Sequence, residues 1–387
     1  MPKETRPARV NERLLEQFPS LASGLYFNHA AIGPWPRCAA AAVREFAQEN
    51  LQRGPAGYAR WIRRENLLRD DLARLIGAAS GASIALLKNT TEGISTVAWG
   101  LDWRPGDNIV LPCSEFPSNR LPWLAQAAHG VEIREIEIRA AGDAEAALLD
   151  AMDARTRLLT LSAVQWSDGF RLDLQRLGDA CHARQVLFFV DAIQQVGALP
   201  IDVQACRIDF LAADAHKWLL GPEGIAPFYS SDRARGQLTL RQQGWHMFDD
   251  PWNFQRDDWT PANSARRFEA GSPNSTGQAA LHASVGLLLE HGMERVGASV
   301  LRNTEFLLAG LTQLKGVQLV SHSEPARRSG IVSFRCDSVQ ARELYRKLAA
   351  LGTTCAVREG AVRLSPHFYQ DEQQLETFMD QLRGLLS

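Results

Sequence analysis

The sequence predicts an α/β fold, a mostly parallel seven-stranded sheet between helix layers followed by a smaller C-terminal α+β domain. Three observations carry this. Short apolar runs alternate with helical patterns from Ser83 to Tyr229. The run Val186-Leu187-Phe188-Phe189-Val190 has the unbroken hydrophobicity of a strand buried on both faces. At 387 residues the chain also exceeds what one core usually holds.

In chain order, a polar arm is expected over 1–24, a large domain over 25–270, and a linking helix with the small domain over 271–387. Leu25-Tyr26-Phe27 leads into Asn28-His29 and a Gly33-Pro34 turn, then helices near 36–51 and 58–76. Strands are expected at 83–87, 108–111, 132–137, 158–162, 186–190, 208–212 and 225–229. Helices at 91–101, 121–128, 143–152 and 174–184 connect them. Section 236–263 carries Trp245, Trp252 and Trp259 among polar residues and reads as a long functional loop. One amphipathic helix is expected over 277–297. Strands at 317–320, 330–335 and 361–364 then alternate with helices at 338–351 and 371–386.

Composition narrows the function. Lys+Arg 42 against Asp+Glu 44 gives a formal net charge of −2, so no basic field points to nucleic acid or a membrane. The six cysteines are scattered without a C-x-x-C pair, which argues against a metal site or disulfide framework and fits a reducing compartment. Residues 1–18 lack a signal-peptide core, and no run has the length of a membrane span. A cytoplasmic location is expected. Only five of the cations are lysines, so a lysine in an apolar stretch needs a reason.

Lys217 is such a residue. It follows the strand at 208–212 and precedes Gly221-Pro222-Glu223-Gly224, placing its amine at the carboxyl edge of the sheet. Desolvation there would lower its pKa and make it a nucleophile for a Schiff base, although a lysine snorkelling from a strand end fits the position equally well. Asp191 closes the most apolar strand, where a carboxylate needs a cation such as a protonated pyridine nitrogen, or else caps a helix. Gln194 could donate to a ring oxygen. Thr90 and Thr91, in Asn89-Thr90-Thr91-Glu92-Gly93, open a helix after a strand and suit either a phosphate cradle or a plain cap. Phe116 could stack on a planar ring or belong to the core. Arg358 and Arg363 could bind a substrate carboxylate or simply be surface charges.

In this order these segments resemble the class V aminotransferases, the fold type I pyridoxal phosphate group that includes cysteine desulfurases, kynureninases and isopenicillin N epimerases. The specific parts are Asp191-x-x-Gln194, the His216-Lys217 dipeptide with its Gly-Pro-x-Gly turn, and Phe268-Glu269-Ala270-Gly271-Ser272-Pro273-Asn274. The resemblance implies pyridoxal 5′-phosphate as cofactor, with Lys217 as the Schiff-base lysine, Asp191 on the pyridinium nitrogen and Gln194 on the phenolic oxygen. It places Thr91, Asp214 and His216 at the phosphate or its approach. Gly271 and Ser272 would reach the phosphate of a second subunit, implying a homodimer with shared sites. Arg363 would anchor the substrate α-carboxylate, and Asn28 and His29 would line the substrate mouth.

Three departures from the desulfurases bear on the reaction. Between Arg358 and Arg363 stand only Glu359, Gly360, Ala361 and Val362, with no thiol; Cys355 lies just before. Phe116 stands where desulfurases stack a histidine, leaving Lys217 as the acid–base group. Trp166 stands where they tend to have an asparagine near the ring oxygen. The expectation is an enzyme acting on an α-amino acid, with Lys217 removing the Cα proton. An aminotransferase comes first; a β-eliminating carbon–sulfur lyase or an epimerase, with His29 or His246 as second acid, is the alternative. Trp166 and the stretch 244–259 suggest a bulky apolar pocket.

Overall fold

A computed structural model describes residues 12–255 and 257–386. Thirteen strands are present among them: β1 (Leu25–Tyr26), β2 (Ile84–Leu87), β3 (Asn108–Pro112), β4 (Glu132–Ile136), β5 (Thr156–Ser162), β6 (Leu187–Asp191), β7 (Phe210–Ala212), β8 (Ala226–Ser230), β9 (Val317–Leu319), β10 (Val332–Cys336), β11 (Thr353–Thr354), β12 (Ala356–Arg358) and β13 (Ala361–Leu364). β2 to β8 form the seven-stranded sheet in the order β2-β8-β7-β6-β5-β3-β4. β8 alone runs against its neighbours; the other pairs are parallel. The expected seven strands and their mostly parallel arrangement are therefore observed.

The sheet's two faces are sealed by separate apolar clusters. One gathers Leu72, Phe188, Val190, Leu211 and Trp218; the other gathers Val97, Ile109, Trp123, Phe189 and Phe228. Alternate residues of β6 thus enter opposite cores, which is why its run had to be apolar throughout. Register sets Ser162, Asp191 and Ala212 side by side at the ends of β5, β6 and β7. The polar atoms at this edge face the place where parallel sheets bind ligands.

The small domain is a four-stranded antiparallel sheet, β12-β13-β10-β9, backed by helices Met293–Thr312, Ala341–Ala350 and Glu372–Leu386 around Phe334, Leu344, Val362 and Phe378. Two expectations change here. The single helix over 277–297 is two, Ser275–His291 and Met293–Thr312, because Gly292 takes φ +87 between them. β1, expected to open the large domain, pairs with β11, and Phe27 is buried in the small-domain core. The 236–263 section holds a 3₁₀ turn (Trp245–Met247) and one isolated bridge, Phe248 to Pro261, and otherwise runs irregularly. Among the described residues no helix is long and apolar enough to cross a membrane.

Candidate active site

Lys217 lies in an irregular turn five residues beyond the end of β7, closed by Leu220 at φ +57, an uncommon conformation for a leucine. The turn after Asn28 braces it: Gly33 N donates to the His216 carbonyl at 2.6 Å, and a Cβ at Gly33 would lie 2.2 Å from the Lys217 carbonyl oxygen. Only glycine fits there. Burial pulls the lysine's pKa down to about 8, with the nearby Asp191 opposing and Arg363 adding to the shift. The amine stands 5.8 Å from the centre of the Phe116 ring, which is 41% exposed and meets Trp166 edge-on at 5.5 Å.

Asp191 is 2% exposed. One carboxylate oxygen accepts from Ile193 N at 3.0 Å, so a local turn takes part of its capacity; no hydrogen bond or ion pair among the described residues takes the other. Burial raises its pKa to about 7. Gln194 is held at both ends, accepting from Trp218 Nε1 at 2.8 Å and donating to the Ala30 carbonyl at 3.0 Å, which leaves one amide N–H.

Asn89 caps helix Thr90–Gly100 through Glu92 N at 2.8 Å. Asp214 accepts from Thr90 N at 3.1 Å, and burial raises its pKa to about 6. His216, 3.7 Å from Asp214, is pulled down to about 4 by burial. The Thr90 hydroxyl is buried with no partner, while Thr91 is exposed and donates to Ser118 Oγ at 2.9 Å.

On the small-domain side, Ala356 opposes Arg363 and Arg358 opposes Ala361 across the β12–β13 hairpin. Arg358 and Arg363 therefore share one face, and Val357 and Val362 the other. Arg363 is 1% exposed; its Nη1 donates to the Trp166 carbonyl, but Nε and Nη2 are buried without partners. Burial and Arg358 pull its pKa down to about 9. Arg358 and Asn28 line one cleft of about 400 Å³ together with Arg342, Arg346 and Cys355.

These residues fit a flat, anionic, ring-nitrogen cofactor. A buried carboxyl with a spare oxygen, a desolvated amine, an open aromatic face and an unpartnered hydroxyl at a helix start all lie at one sheet edge. Comparison with known proteins decides the family: the model of aminotransferase class V matches residues 25–378. The chain belongs to the class V aminotransferase family.

Known relatives include a probable cysteine desulfurase of Methanothermobacter thermautotrophicus, 29% identical over 97% of this chain and 98% of the relative. A cysteine desulfurase of Yersinia pestis is 32% identical over 77% of this chain and 73% of the relative. Among solved structures, a complex of the cystine C–S lyase C-DES with its product cysteine persulfide superposes with a TM-score of 0.89, at 29% identity, over 95% of this chain and 99% of that one. This class V protein is a pyridoxal phosphate-dependent enzyme.

Several expected residues sit elsewhere. His29 is fully buried, with Nδ1 2.8 Å from the Ser365 carbonyl and Nε2 against Tyr369, so it braces the core instead of lining a mouth. His246 is buried beside Glu269 at 3.8 Å. Neither candidate for an epimerase's second acid is free to face Lys217. Gly271 and Ser272, expected at the phosphate of a second subunit, are exposed beside Lys88, Glu92 and Gly224 of their own chain. Trp245, Trp252 and Phe254 cluster next to Tyr58, so within one chain the 244–259 stretch builds no pocket around the lysine.

Sequence reasoning missed Glu115. Its carboxylate accepts from Ser162 N at 2.7 Å, Gln165 Nε2 at 2.9 Å, Asn119 Nδ2 at 3.0 Å and the Ser162 hydroxyl. It fixes the loop that presents Phe116. The Glu115-Phe116 dipeptide after a strand was the available signal.

Proposed function

We propose that this enzyme is a β-eliminating carbon–sulfur lyase acting on an α-amino acid with sulfur on Cβ, in preference to the aminotransferase reading. One observation carries it. The β12–β13 hairpin has a turn of two residues, Glu359 and Gly360, with no thiol on it. Cys355 borders the cleft of Arg358 and Asn28, but it is 3% exposed and packed into the small-domain core, and burial pushes its pKa up to about 12. No protein thiolate stands ready to take sulfur from the substrate, so sulfur must depart as the leaving group. The likeness to a cystine C–S lyase supports the same reading.

Arg363 Nε and Nη2 would take the α-carboxylate as charge-assisted bonds, with Arg358 flanking. Asp191 would hold a proton on the ring nitrogen, Gln194 would offer its remaining N–H to the ring oxygen, and Phe116 would stack on the ring. Thr90, Thr91, Asp214 and His216 would border the phosphate. When bound, pyridoxal phosphate supplies an electron sink for the Cα carbanion. Lys217, half neutral near pH 8, takes the Cα proton. The Cβ–S bond breaks with its electron pair on sulfur, and the released enamine takes up water to give pyruvate and ammonia.

The homodimer belongs to this proposal. Gly271 and Ser272 are exposed, and Trp252, Phe254 and Trp259 form apolar surface at 46%, 64% and 41% exposure. A second copy could cover both.

The test is product analysis on the holoenzyme with L-cystine and S-alkyl-L-cysteines. Pyruvate and ammonia in equal amounts are expected. Alanine would indicate desulfuration, and a keto acid with pyridoxamine phosphate would restore the aminotransferase; either outcome overturns the proposal.

A further inference from the structure

Arg139, three residues beyond β4, crosses the seam between the domains. Its Nε lies 3.0 Å from Asp168 Oδ2 and its Nη1 2.9 Å from Glu359 Oε2, and its Nη2 donates to Ser167 Oγ. Glu359 opens the hairpin turn at φ +47 and Gly360 follows at φ +74. This is the paired left-handed geometry of a tight hairpin, uncommon for a glutamate. The Glu359 carbonyl is held as well, accepting from Arg335 Nη2 at 2.9 Å.

On its other side, Arg139 grips residues that directly follow Trp166, whose carbonyl anchors Arg363. Ser333 and Ser329 of the small domain bind the next carbonyls of this loop, at Ser167 (2.5 Å) and Gly169 (2.7 Å). One guanidinium thus ties the tip of the hairpin to the loop on which the hairpin's buried arginine rests.

We propose that Arg139 and Glu359 are positioning residues for the substrate carboxylate, holding the hairpin so that Arg358 and Arg363 face Lys217. This rests on the reading that Arg363 binds the α-carboxylate. Neither residue touches substrate. Both are partly exposed, at 36% and 41% of their side chains, so the pair acts as a latch and not as part of the core.

The test uses holoenzyme with Arg139→Met, with Glu359→Gln and with both. KM for an S-alkyl-L-cysteine should rise about fivefold, the scale of one partly exposed ion pair. The kcat, and the inhibition constant of the matching S-alkyl cysteamine, which lacks the carboxyl group, should hold. The double variant should be no worse than Arg139→Met alone, and Arg139→Lys, which keeps a cation between Glu359 and Asp168, should recover part of the loss. An unchanged KM, or equal weakening of acid and amine, overturns the latch. If Arg139→Met does not fold, Glu359→Gln carries the test. Arg363→Met separates the two claims: if it keeps the preference for acid over amine, the carboxylate assignment itself has failed.

Discussion

Two buried charge clusters in this protein look alike in composition and differ in completeness. Around Arg69, the guanidinium binds both oxygens of Glu269 at 2.5 and 2.9 Å, Glu65, and the Ile84 carbonyl at 3.0 Å. Glu269 also accepts from Leu86 N at 2.7 Å, and Glu65 from Gln278 at 3.1 Å. Around Lys217, Arg363 has two unpartnered nitrogens and Asp191 a spare oxygen, and burial shifts all three groups toward neutrality. The finished cluster joins helix Tyr58–Leu75 to β2 and to the segment before Gly271. The unfinished one is a site, because desolvated charge without a partner is costly unless a ligand supplies the partner.

This contrast can be broken in several ways. Lys217→Ala should lower pyruvate release at least about 10³-fold, the upper range for a general base; undiminished turnover would remove the site altogether. Glu269→Ala leaves a buried guanidinium half paired and should cost about 3–5 kcal/mol of stability, read from urea midpoints. Arg363→Met should do the reverse. The apoprotein should be no less stable, while substrate affinity falls about 10–100-fold, as expected for lost charge-assisted bonds. A destabilisation matching that of Glu269→Ala would erase the distinction.

Two pH effects sharpen it. The rate at which apoprotein takes up the aldehyde cofactor, followed by its yellow absorbance, should climb with pH through a midpoint at about 8, where Lys217 is half neutral, and level off roughly one pH unit higher. A plateau reached only near the ordinary lysine value would mean a solvated amine. The second concerns Asp191. Its folded pKa, about 7, lies above the unfolded value, so the folded state holds the proton more tightly. That contribution is present below about pH 4 and is lost as pH rises through 7. Apoprotein with Asp191→Asn should therefore gain on the wild type in urea midpoint between pH 5 and 8.

Much of this was legible because the signals are local. Lys217 and Asp191 are polar groups set at the ends of apolar strands, and β6 announces a two-sided strand by itself. What was missed depends on distant partners or on side-chain direction. Arg139 and Glu359 meet only after both domains have formed. His29 follows Asn28 in sequence, yet on extended backbone neighbours point to opposite sides, so Asn28 lines the cleft and His29 enters the core. The break at Gly292 falls between two runs of buried residues, Leu281 to Leu288 and Val296 to Leu311, that each keep helical spacing.

The β1–β11 pairing has one more consequence. Leu25–Tyr26 finds its bonding partner, Thr353–Thr354, only after every strand of the large sheet has been made. Until then Phe27 has no core to enter, while the seven-strand sheet already has every strand it needs. Maturation should therefore run in two stages, with the arginine-bearing half of the pocket the last to take shape.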